Sequence, residues 1–125
     1  MEQSPLQSLV VDESAMHDAI LAELLRDWIQ LTTTGGIVFK ADAVRLSVRS
    51  RALIGILGGA ALHRLGHRSE KGIAPKEIET LTGIPGGTLR PALRELASRR
   101  LVRSEDGRYE VPAYAIADVR KALTI

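Results

Sequence analysis

Cysteine is absent from the chain, which excludes disulfide staples and thiolate-ligated metals and fits a reducing compartment. Aromatic side chains make up only 3% of the residues, so no aromatic-lined effector pocket is expected. Long apolar runs are missing too. The longest, ALIGILGGAAL from Ala52 to Leu62, is far short of the ~20 residues of a membrane span and predicts a buried helix. The N-terminal stretch MEQSPLQSLVVDES has neither the basic start nor the apolar core of a secretory signal, so a cytoplasmic protein is expected. No nucleophile, base and orienting group occur together, and there is no phosphate-binding glycine loop. Neither an enzyme nor a cofactor is expected.

What is present is one domain's worth of chain: 125 residues, 45% apolar and 26% charged, enough to bury a core without staples. The formal net charge of +2 conceals a division. Residues 1–30 carry Glu2, Asp12, Glu13, Asp18, Glu23 and Asp27 against Arg26 alone, whereas the remainder has 16 basic and 9 acidic groups. A basic body of this kind suits a polyanionic partner. Thirteen of the seventeen basic residues are arginine, the side chain whose forked donors match phosphate and guanine.

Residues 1–33 form an acidic segment whose SAMHDAILAELLRDWIQL stretch spaces Met16, Ile20, Leu24, Trp28 and Leu31 three or four apart. That spacing predicts an amphipathic helix over 14–31, capped by Asp12 or Ser14. TTTGG then reads as the start of a linker, 34–49, in which the alternation of VRLSVR predicts an extended segment over 44–49. Ser50 is the expected cap of a second helix over 51–66, where Gly55, Gly58 and Gly59 imply close packing, since each costs about 1 kcal/mol relative to alanine. After the polar HRSEKG loop, Ile73 adds a short strand residue. Pro75 opens a helix with Ile78 and Leu81 facing inward, and Gly83 ends it.

The stretch TGIPGGTLRPALRELASRRLV, residues 82–102, is a second short helix behind a tight glycine turn, which makes a helix-turn-helix. With Thr88 as its cap, Pro91 falls third in the helix, where its missing N–H has no partner to lose. Leu89, Ala92, Leu93 and Leu96 share one face; Gly87, Pro91, Arg94 and Ser98 occupy the opposite one, flanked by Thr88, Arg90 and Glu95. Glu95 opposes phosphate unless it accepts from a cytosine amine or pairs with Arg99. Then LVRS, EDG and RYEV signal a β-hairpin turning at Asp106-Gly107.

In order and spacing, EIETLTGIPGGTLRPALRELASRRLVRSEDGRYEV resembles the winged helix-turn-helix domains of small prokaryotic regulators of the MarR, ArsR and PadR kind. The resemblance covers residues 50–112. It implies a mainly α fold with a small β-hairpin wing, here extended by N- and C-terminal helices, the latter over 113–125 with Ile116, Val119 and Leu123 on one side. It further implies a dimeric, nucleoid-associated transcription regulator that binds double-stranded DNA. Recognition helix 87–100 would enter the major groove and wing 103–109 lie on the backbone or minor groove. The DNA-binding residues are then expected to be Gly87, Thr88, Arg90, Pro91, Arg94, Ser98, Arg99, Arg103 and Arg108. Met16, Ile20, Leu24, Trp28 and Leu31 are the expected oligomer interface or docking face for a protein partner. The alternative is an interaction module that assembles through the N-terminal helix without touching DNA. His63 and His67, four apart, sit near a helix C-terminus where positive charge is favourable; no metal is expected.

Overall fold

The computed structural model describes residues 5–10 and 13–123, the side chains of 13–16 excepted. The chain is mainly helical, with two small antiparallel hairpins. A short 3-10 turn, Pro5–Leu9, precedes helix α1, Glu13–Leu25. Strands β1, Ile29–Leu31, and β2, Ile37–Phe39, follow, then a 3-10 turn at Ala41–Arg45. Helix α2 is Val48–Arg64, α3 is Pro75–Thr82 and α4 is Gly86–Ser98. Strands β3, Arg103–Glu105, and β4, Arg108–Glu110, form the second hairpin, and α5, Ile116–Ala122, closes the described chain.

Helix α2 is the axis. It is buried from Ala52 to Ala60 and again at Leu62, and it touches α1, α3, α4 and both hairpins. The apolar run is thus the buried helix that its composition predicts, but its start differs. Ser47, not Ser50, is the cap: its hydroxyl accepts the Ser50 N–H at 3.2 Å and donates to the Ser50 hydroxyl at 3.0 Å. Consequently 44–49 is not extended; Val44 and Arg45 end the 3-10 turn, and Val48 and Arg49 already belong to α2. The glycines do bring neighbours close. A Cβ on Gly58 would lie 3.0 Å from the side-chain tips of Ile29 and Ile37, and one on Gly59 would lie 2.4 Å from Ile73.

The expected helix over 14–31 stops at Leu25. Downstream, the Lys40 ammonium donates to the Arg26 carbonyl at 2.7 Å, and the Lys40 N–H donates to the Trp28 carbonyl at 2.7 Å. Ile29, Gln30 and Leu31 pair with Phe39, Val38 and Ile37. Satisfying backbone groups in this hairpin outweighs two more helical turns. Residues 34–49, expected as a linker, thus hold β2 and a 3-10 turn. The hairpin reverses at Gly35, whose φ of +87° only glycine adopts readily.

The stripe expected to face a second chain packs on the chain's own core. Leu24 is buried, and Ile20, Trp28 and Leu31 are half-buried against the same cluster. These residues join α1 and β1 to α2, where a few kcal/mol of apolar burial are gained without any partner. The side chain of Met16 lies outside the described residues.

Helix α3 ends at Gly83, φ +73°, as its sequence requires. Helix α4 buries Leu89, Ala92, Leu93 and Leu96, the face its periodicity predicts. It ends in a six-residue reversal: the Leu101 N–H returns to the Leu96 carbonyl and the Arg100 N–H to the Ala97 carbonyl, both at 3.0 Å. Arg100 takes the left-handed position, φ +61°. The hairpin turns at Asp106 and Gly107, both with positive φ, which matches the strand twist. Ile73 joins it through two hydrogen bonds with Tyr109, at 2.9 and 2.8 Å. At the C-terminus Ile116 and Val119 are buried, and Arg120 reaches Glu23 of α1 at 2.8 Å.

Candidate nucleic-acid interface

Helix α4 starts earlier than its sequence suggests. Pro85 occupies the cap position with no side-chain bond, so Gly86, Gly87 and Thr88 form the first turn. Pro91 is therefore sixth rather than third, and it has no N–H to offer the Gly87 carbonyl. That carbonyl is an extra acceptor on an exposed part of the helix. The Glu79 carboxylate of α3 lies against Gly86, 2.8 Å from where a Cβ would stand. A carboxylate there complements the positive end of the helix and disfavours a phosphate at the same point.

Seven of the expected DNA-binding residues come together. Gly87, Thr88, Arg90, Pro91, Arg94, Ser98 and Arg99 are all exposed along α4 and its C-terminal cap. Among the described residues, Arg90, Arg94, Arg99 and the adjoining Arg100 have no side-chain hydrogen bond or ion pair. The objection raised by Glu95 resolves differently from expectation: its partner is Arg49 of α2, not Arg99. This pairing removes the one acidic charge on the exposed stretch of α4. Arg90 and Arg94 also line a cleft of about 360 Å³ with Pro75 at the start of α3, Leu93 and Tyr109 of β4.

Arg103 and Arg108 are placed otherwise. Arg103 donates to the buried Glu110 at 2.5 Å, across its own hairpin. Arg108 lies 3.3 Å from Glu77 and 3.6 Å from Glu70. Glu77 in turn receives both guanidinium nitrogens of Arg68 at 3.0 Å, and Arg68 donates further to the Gly72 and Glu70 carbonyls. The Arg68 guanidinium beside it holds the Glu77 carboxyl below its ordinary value, with Arg108 assisting. Sequence reading missed this network because Arg108 is 31 positions from Glu77; the Ile73–Tyr109 pairing brings it to the segment that holds the other members.

Among the described residues no helix is long and apolar enough to cross a membrane, and no three His, Cys, Asp or Glu side chains are grouped to hold a metal. His63 sets its Nδ1 against the Arg68 carbonyl at 3.2 Å. Compared with protein-family models, with curated proteins and with solved structures, the chain matches none.

Proposed function

We propose that this protein binds double-stranded DNA through α4, as the recognition helix of a winged helix-turn-helix, and regulates transcription as a homodimer. The observation that carries the reading is the run of unpaired arginines at 90, 94, 99 and 100, beside a Glu95 already neutralised from within the chain. Unpaired guanidinium groups suit phosphate and guanine, whereas paired ones must first lose a partner. Gly87 fits the same reading. Its φ is not positive, and a Cβ added to it would meet nothing within 4 Å, so the fold does not require glycine there. A bare backbone beside Thr88 and Arg90 permits close approach of a DNA strand. Arg94 reads a base edge, Arg90 and Arg99 hold phosphates, and the hairpin flanks the groove with its charge largely compensated. In a dimer two α4 helices meet half-sites about 34 Å apart, one helical turn.

The test is a mobility shift of duplex DNA across a salt series. Affinity should fall steeply with salt, the logarithmic slope growing by about 0.9 for every phosphate neutralised. Absence of retardation at low salt refutes DNA binding and leaves the interaction module. Light scattering at high micromolar concentration tests the dimer separately.

A further inference from the structure

A proline inside a helix gives up one backbone hydrogen bond and crowds the carbonyl four residues back, which makes it a costly choice there. Pro91 lies inside α4 and is exposed, so packing against the core does not call for it. Its effect falls on Gly87. At the start of the same helix the Pro85 carbonyl accepts the Thr88 and Leu89 N–H groups at 3.0 and 2.9 Å. The Gly87 carbonyl has no N–H at position 91 to accept, and among the described residues no group outside α4 donates to it. Gly87 has no side chain, and a Cβ there would meet nothing within 4 Å, so the acceptor stands open. At about 100° per residue, Gly87, Pro91, Arg94 and Ser98 fall along one line on the face opposite the core.

We propose that the Gly87 carbonyl, kept open by Pro91, reads the exocyclic amine of a cytosine or an adenine in the major groove. This rests on the DNA reading and names what α4 recognises besides guanine and phosphate. Those amines are the only hydrogen-bond donors that base edges present in the major groove, where guanine and thymine offer acceptors. Arginine, which only donates, cannot pair with them. Along α4 the two kinds of group are separated. Its leading end carries acceptors, the Gly87 carbonyl and the Glu79 carboxylate that lies against Gly86. Arg90, Arg94 and Arg99 then supply donors on the exposed surface. An amine is therefore expected at one end of the half-site, and guanine or phosphate toward the other. A rise of about 1.5 Å per residue puts Gly87 and Arg94 about 10.5 Å apart along the axis. That places the amine within about three base steps, of about 3.4 Å each, from the guanine that Arg94 reads. A base without an amine would leave the carbonyl shut off from water with no partner, and this is the source of the discrimination.

The experiment uses the full chain and a duplex selected by it from a randomised library. Each cytosine and adenine of the half-site is replaced in turn by 2-pyrimidinone or purine, which lack only the exocyclic amine. Fluorescence anisotropy then gives the affinity of each duplex for the wild type and for Pro91→Ala. Alanine supplies an N–H to the Gly87 carbonyl and should raise the thermal midpoint, so the variant keeps its fold. At one position the wild type should lose about tenfold in affinity when the amine is removed, and Pro91→Ala should lose nothing further there. At every other position the two proteins should lose alike, because weakened base pairing affects both. Equal losses at all positions would overturn the proposal while leaving DNA binding intact. Differences at several positions would overturn it too, since a change in the course of the helix, and not one carbonyl, would then set the preference. A wild type that retains no duplex at low salt removes the DNA reading and this contact together.

Discussion

Helix α4 and the β3–β4 hairpin are neighbours in the chain, and both carry arginine, but the two sets of guanidinium groups differ in their company. Arg90, Arg94, Arg99 and Arg100 face solvent alone. Arg103 and Arg108 are bound to Glu110, Glu77 and Glu70. Composition treats these six residues as equivalent; geometry separates them. A charge already paired contributes to holding two elements together, and a charge left open is available to a partner. Counting arginines in a hairpin therefore overstates its attraction for a polyanion, and the partner carboxylates decide how much remains.

The largest effect that sharpens this contrast is on binding. Replacing both Arg90 and Arg94 by alanine should cost about 1–3 kcal/mol of DNA affinity for each residue, with little change in thermal stability because both residues are exposed. Arg94→Ala should also relax sequence preference, whereas Arg90→Ala should weaken all duplexes alike. If Arg103→Ala loses as much affinity as Arg94→Ala in the same fluorescence-anisotropy titration, the contrast fails.

Glu77→Ala attacks the other side. It strips Arg68, whose side chain is only 14% exposed, of its carboxylate. Chemical denaturation should show a loss of about 1–3 kcal/mol, toward the lower end because Glu77 itself is 41% exposed. The same variant leaves Arg108 with Glu70 alone, 3.6 Å away, so non-specific DNA affinity should rise and its salt slope should steepen by up to about one charge. A stability loss with an unchanged slope would mean that Arg108 stays away from DNA even when released.

Gly87→Ala should separate folding from binding. With open space around the position, alanine should stabilise α4 by up to about 1 kcal/mol, measured as a higher thermal midpoint. If a DNA strand passes close to this backbone, affinity falls in the same protein. A rise in both quantities would leave Gly87 without a binding role.

The smallest effect concerns pH. His17 has a folded-state value below its ordinary 6.5, so on acidification the unfolded chain takes up this proton first. Its contribution is complete above pH 6.5 and is lost as pH falls through the folded value. His17→Gln should flatten that part of the stability profile, read by denaturation between pH 7 and pH 5. The Glu77 contribution has the same sign but lies lower, disappearing below its ordinary 4.5, so the variant should leave that acid limb unchanged.

Much of the second half of the chain was legible because its signals are local. The 3.6-residue spacing of Leu89, Leu93 and Leu96, the Asp106-Gly107 turn and the glycine at 83 each constrain the backbone within a few residues. The first half was less so. Leu24, Trp28 and Leu31 keep helical spacing across a helix end and into a strand of three residues, too short for alternation to show. Ser47 and Ser50 both suit a cap, and only the Ser47 hydroxyl bonding to the Ser50 N–H distinguishes them. Of the candidate site, the exposed face of α4 follows from periodicity, but the pairing of Glu95 with Arg49, 46 positions away, depends on how α2 crosses α4.

The Arg68–Glu77–Arg108 network has a consequence for how the molecule opens. Together with the double hydrogen bond between Ile73 and Tyr109, it ties the loop after α2, the first turns of α3 and the hairpin into one patch. Breathing motions tend to follow such boundaries, releasing a whole patch rather than single bonds. The amides of Ile73 and Tyr109 should accordingly exchange with deuterium at matching rates, faster than the buried centre of α2 and slower than the exposed tip at Asp106. The hairpin would then come away from the body only together with the segment that holds Lys71.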